Sequence, residues 1–87
     1  MITKEIVLLN ESGLHARPAS MFVKEASKYK CDIKVIKDGK EYNPKSIMSI
    51  LSMGAGKGDS IIIQAEGENE ENVVNELANF IQNKIKD

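Results

Sequence analysis

The single histidine of this chain, His15, lies in the run Gly13-Leu14-His15-Ala16-Arg17-Pro18-Ala19. A glycine breaks an extended segment, the histidine follows at the turn, and a helix is expected to begin at once. Pro18 has no backbone N–H, which suits a first helical turn, where N–H groups have no carbonyl partner anyway. The amides of Ala16 and Arg17 then remain free at the positive end of the helix dipole. With the Arg17 guanidinium they form a site for an anion such as phosphate. Neutral imidazole is a competent nucleophile near neutral pH, so a histidine beside that site can take a phosphoryl group on its ring. A metal role is disfavoured, because there is no second histidine and Cys31 is the only cysteine. A lone histidine in an arbitrary small domain is more often a surface or capping residue, and a lone arginine is more often a solvated charge. Here a cation sits in the first helical turn, where the dipole disfavours it by roughly a few tenths of a kcal/mol. That placement makes sense if an anion visits.

The elements that must hold these residues follow from periodicity. Ile2 to Leu9 reads as a strand with Ile6 and Leu8 inward, and Asn10 to Gly13 as a turn that includes Ser12. Residues 16 to 28 read as a helix with Ala19, Phe22, Val23 and Ala26 on one side and Lys24 and Lys28 near its end. Asp32 to Lys37 alternates with Ile33 and Val35 on one face. Asp38-Gly39 is a strong hairpin signal, and residues 40 to 43 return as a strand that stops at Pro44. Ser46 is placed to cap a short helix over Ile47 to Met53, and Gly54, Gly56 and Gly58 punctuate its exit. Ser60 to Glu66 is a strand with Ile61, Ile63 and Ala65 facing one way. Residues 69 to 85 read as the last helix, with Val74, Leu77, Ala78, Ile81 and Ile85 as its apolar stripe. Glu70 and Glu71 stand in its first turn and Lys84 and Lys86 at its end, as the dipole favours. The order is βαββαβα. The fold class is α+β, with four antiparallel strands whose one face is covered by helices.

Composition narrows the function. At 87 residues the chain is one domain, residues 1–87, and its 41% hydrophobic content suffices for one core. Net charge is -1 with both signs mixed, which lacks the basic footprint of a nucleic-acid binder. One cysteine cannot form an internal disulfide, so a reducing compartment is the simpler reading. The start, Met1-Ile2-Thr3-Lys4-Glu5, has no apolar signal-peptide core, and no apolar run is long enough to span a bilayer. A soluble cytoplasmic protein is expected, without membrane insertion. No linker, internal repeat or low-complexity segment is evident.

The Gly13–Ala19 run resembles the active-centre motif of the HPr family, the histidine-containing phosphocarriers of the bacterial sugar phosphotransferase system. A second run, Lys45-Ser46-Ile47-Met48-Ser49-Ile50-Leu51-Ser52-Met53-Gly54, is similar to the regulatory serine region of Gram-positive members. The similarity covers almost the whole chain without a gap, and two motifs at the family's spacing are more specific than either alone. The resemblance implies an open-faced β-sandwich with three helices on one face of the sheet. It implies that His15 accepts a phosphoryl group from phospho-enzyme I, which draws it from phosphoenolpyruvate, and passes it to a sugar-specific enzyme IIA. Arg17 and the Ala16 and Arg17 amides would stabilise that group. Such a protein is a substrate of its partners and not an enzyme, and needs no cofactor of its own.

The same resemblance makes Ser46 the target of an ATP-dependent HPr kinase/phosphorylase, and the phosphoserine form a ligand of a catabolite-control repressor. A phosphate at a helix N-terminus is electrostatically tolerable, and its charge would hinder docking of enzyme I. As a simpler reading, Ser46 is just a good N-cap. Ile47, Met48, Ile50, Leu51 and Met53 exceed what one buried helix face needs. By resemblance Ile47, Met48 and Leu51 belong to a patch that successive partners share, and methionine suits several surfaces. Two positions depart from commoner members: Ser49 stands where many Gram-positive relatives have glycine, and Pro44 is unusual before Lys45-Ser46. Ser49 and Ser52 are further hydroxyls that compete for assignment as the modified group. Cys31 reads as a small structural residue at a helix–strand junction. A shuttle that meets several partners is expected to be a monomer. The alternatives are a regulatory binding module that acts only through phosphoserine, a nitrogen-linked regulatory carrier, and an unrelated α+β domain. The first belongs to a sister group that lacks the active histidine, which His15-Ala16-Arg17-Pro18 argues against here.

Overall fold

The computed structural model describes residues 1–11 and 13–85. Ser12 and Lys86, both named above, lie outside the described residues. The elements run β1 (Ile2–Val7), α1 (Ala16–Ala26), β2 (Asp32–Lys37), β3 (Lys40–Tyr42), α2 (Ile47–Met53), β4 (Ser60–Glu66) and α3 (Glu70–Asn79), which continues as a π-helical segment, Phe80–Lys84. The strands form one antiparallel sheet in the order β1-β4-β2-β3. Central β4 pairs with β1 through Ile6↔Ile61 and with β2 through Val35↔Ile63, so the inward residues of three strands stand in one layer.

That layer is why these segments become strands. Ile6, Ile33, Val35, Ile61, Ile63 and Ala65 are all buried at every second position, and one face of the sheet needs a cover. Helices α1 and α3 supply most of it. Ala19, Phe22 and Ala26 of α1 and Val73, Val74, Leu77 and Ala78 of α3 are buried at helical spacing. Helix α3 lies against β1 and β4, α2 against β3, and α1 packs on both other helices. The opposite face carries polar positions such as Thr3, Glu5, Lys34 and Gln64 on paired strands.

Several ends differ from the periodic reading. β1 stops at Val7, yet Leu8 is fully buried as its alternation requires. It leaves the sheet pairing to bond the chain that follows α2: the Leu8 N–H donates to Asp59 O at 2.9 Å, and the Gly58 N–H donates to Leu8 O at 2.9 Å. α1 ends at Ala26 and not residue 28, with the Ser27 hydroxyl turned back onto Val23 O at 2.8 Å. β3 ends at Tyr42, one residue short, because the Asn43 N–H donates to the Ser49 hydroxyl and not to a strand. The last helix is not one α-helix to residue 85. The Ile85 N–H donates to Phe80 O at 3.0 Å, five residues back, and Ile81 and Ile85 still reach the core.

Candidate functional site

His15 holds the N-cap position of α1 in extended conformation (φ -74°, ψ -175°), and its carbonyl accepts from the Ala19 N–H at 2.7 Å. No side chain caps this helix, so the first-turn amides of Ala16 and Arg17 have no acceptor among the described residues. Pro18, third in the helix, is buried and adds no orphan donor, while His15, Ala16 and Arg17 are all exposed. Among the described residues no carboxylate forms an ion pair with Arg17. An imidazole, two free amides and an unpaired guanidinium thus share the open end of one helix. Chemically that end can receive an anion on the helix axis beside a nucleophilic ring nitrogen.

What holds the histidine there is a long-range brace absent from the periodic reading. Gly13 has φ +57°, a left-handed conformation that other residues adopt at a cost. Its Cα side is pressed against the backbone of Ala55 and Gly56, so a Cβ there would collide with both. The Leu14 N–H donates to Ala55 O at 2.9 Å, and Leu14 is buried. The Asn10 side-chain amide donates to Gly13 O, and Gly13 N donates to Asn10 O at 3.1 Å. Lys57 pairs with Glu11 at 2.8 Å across the same loops. The glycines after α2 are therefore the bed on which the His15 loop rests. Their density in the sequence is the one local signal of this, but the partner loop lies some forty residues away and leaves no mark near His15.

Ser46 begins α2 as its N-cap (φ -123°, ψ 119°), with its hydroxyl accepting from the Ser49 N–H at 3.3 Å. Gly54 ends the helix in left-handed conformation at φ +65°. The segment before Ser46 is closely held. The Lys45 N–H donates to Asn43 Oδ1 at 2.9 Å, the Ser46 N–H to Asn43 O at 3.1 Å, and Pro44 is buried. The Lys45 ammonium donates to the carbonyls of Tyr29 at 2.7 Å and Cys31 at 3.2 Å, fastening the start of α2 to the α1–β2 junction. Cys31 itself is buried and unpaired. Of the apolar residues of α2, Ile50 and Met53 enter the core, while Ile47, Met48 and Leu51 are exposed, Met48 by 73%. Because α1 packs against α2, the His15 and Ser46 ends and this apolar strip belong to one helical layer.

Comparison with known proteins points to one family over nearly the whole length. A family model described as the PTS HPr component phosphorylation site matches residues 2–83. The phosphocarrier protein HPr of Borreliella burgdorferi is 40% identical over 82 residues, 94% of this chain and 95% of that protein. A crystal structure of HPr from Thermoanaerobacter tengcongensis superimposes with a TM-score of 0.89 at 44% identity, covering 93% of this chain and 91% of the other. The HPr-like protein Crh of Bacillus subtilis is 35% identical over 85 residues, 98% of this chain and all of that protein. Its crystal structure, a dimer with a swapping domain, matches with a TM-score of 0.75 and covers 98% of both chains.

Proposed function

The chain belongs to the HPr family of the phosphotransferase system, and we propose that it is a phosphoryl carrier that works through His15. HPr-type proteins are carriers and not catalysts in themselves. The observation that supports the reading is the exposed imidazole at an uncapped helix start, with a guanidinium two residues on that forms no ion pair among the described residues. Phospho-enzyme I would donate the group to a ring nitrogen of His15. The first-turn amides and Arg17 would bear the charge of its oxygens, and a sugar-specific enzyme IIA would remove it. An exposed site stabilises the phosphoryl group while leaving it open to the next acceptor, as a reversible carrier requires. Ile47, Met48 and Leu51 form the apolar contact for both partners.

Ser46 is the proposed regulatory position, modified by an HPr kinase/phosphorylase, with a catabolite-control repressor as a partner of the modified form. A second reading, a module regulatory through phosphoserine alone, is favoured by the likeness to Crh. The presence of His15 with Arg17 favours the carrier. We place the carrier in the cytoplasm, and among the described residues no helix is long and apolar enough to cross a membrane. It acts as a monomer, since each partner needs the same helical end uncovered. The test is reconstitution of phosphoenolpyruvate-dependent sugar phosphorylation with purified enzyme I and a sugar-specific permease. Wild type should sustain flux and His15→Ala should abolish it. Flux no higher with wild type than with His15→Ala would leave the regulatory reading in place.

A further inference from the structure

Helix α2 and its N-cap carry three hydroxyls, Ser46, Ser49 and Ser52, at three-residue spacing. The structure gives them different work. The Ser52 hydroxyl donates to Ser49 O at 2.7 Å, an ordinary bond to the preceding turn. The Ser49 hydroxyl accepts from the Asn43 N–H at 2.8 Å, six residues back and outside the helix. The Ser46 hydroxyl only accepts, at 3.3 Å from the Ser49 N–H, so its proton has no acceptor among the described residues. Ser49 thereby joins the segment ahead of Ser46 from both sides. Its backbone N–H holds the Ser46 oxygen and its side chain holds the Asn43 amide. Asn43 in turn accepts from the N–H groups of Lys45 and Ser46. The result is a closed set of bonds around the turn that presents Ser46.

We propose that Ser49 is the positioning residue for modification of Ser46, through its hydroxyl bond to the Asn43 amide. The inference rests on the reading of Ser46 as the kinase target. In that step the Ser46 oxygen forms a bond to the γ-phosphorus of ATP, the bond from that phosphorus to the ADP oxygen breaks, and the hydroxyl proton passes to a base of the kinase. Ser49 takes no part in the chemistry. It holds the turn in the conformation that the kinase must bind, so the binding-competent fraction of the free protein is high. Without the hydroxyl the Asn43 amide loses its acceptor, the turn opens more often, and the kinase must order it on binding. The cost therefore falls on KM and leaves kcat as it was.

The experiment compares wild type, Ser49→Ala and Ser49→Thr, the last retaining an oxygen at the same position. Three quantities are read: hydrogen exchange at the Asn43 amide, KM and kcat for phosphorylation by an HPr kinase with ATP, and acceptance of phosphoryl on His15 from enzyme I. Ser49→Ala should speed Asn43 exchange by about tenfold and raise KM for the kinase by about three- to tenfold. It should leave kcat and the His15 reaction unchanged, and Ser49→Thr should restore both altered values. Unchanged Asn43 exchange, an unchanged KM, or a KM effect that threonine fails to rescue would overturn the proposal. Failure of the kinase to modify wild type at Ser46 would instead overturn the regulatory reading on which it stands, and Asn43 exchange would still report whether the brace exists.

Discussion

Arg17 is the residue whose surroundings say most about its role. It is exposed, forms no ion pair among the described residues, and occupies a helical turn where its charge is disfavoured. Its removal should therefore cost little stability. Arg17→Ala should slow phosphoryl transfer to and from His15 by about ten- to a hundredfold, the loss of a charge-assisted bond, with no change in melting temperature. Rapid-quench kinetics with enzyme I would check this, and an unchanged rate would remove Arg17 from the site. Gly13 makes the opposite case, since it has no side chain and shapes the loop through its backbone. Gly13→Ala should destabilise the domain by more than about 2 kcal/mol, because it combines a left-handed backbone with a collision against Ala55 and Gly56. Denaturant unfolding gives the number. The helix start in the His15-Ala16-Arg17-Pro18 run was legible because its signals are local. The need for glycine at position 13 was legible only as a turn, since the clashing backbone comes from another loop.

At the scale of elements, alternation located β1, β2 and β4 and helical spacing located α1 and α3, because each has a face in the core, whereas the hairpin signal at Asp38-Gly39 located β3 and the Ser46 cap located α2. What alternation could not locate were the ends. β3 stops where Asn43 finds the Ser49 hydroxyl, and the last helix changes to π geometry while Ile81 and Ile85 keep a spacing that either helix type satisfies. Helix α3 is also tied to the start of β1. Glu70 accepts from the Met1 ammonium at 3.0 Å and from the Gly67 N–H at 3.0 Å. The ammonium first, and then the Gly67 N–H, hold the Glu70 carboxyl below its ordinary value of 4.5, against an opposing effect of desolvation. A carboxyl with a depressed value in the folded state stabilises the fold above the unfolded value and loses that contribution as pH falls through the depressed one. Glu70→Gln should thus melt below wild type at neutral pH, and the gap should close as pH falls below about 4.5. Melting curves across that range would show it, and a gap independent of pH would contradict the assignment.

For the whole molecule, the sheet serves as a platform on which the helices pack. The order β1-β4-β2-β3 puts β4 in the centre, and the loop leading into it supports the His15 turn. Strand order and this support come from long-range pairing, which no local pattern encodes, whereas the βαββαβα succession is written in the chain itself. The exposed apolar strip of α2 stands in the same helical layer as α1, which packs against α2. His15 is the residue proposed to carry the phosphoryl group. The most direct test is incubation with phosphoenolpyruvate, magnesium and a cognate enzyme I, followed by intact-mass measurement before and after mild acid. A single added phosphoryl group, lost in acid and absent from His15→Ala, is the predicted result. No adduct on wild type, with the same enzyme I active on another carrier, would contradict it.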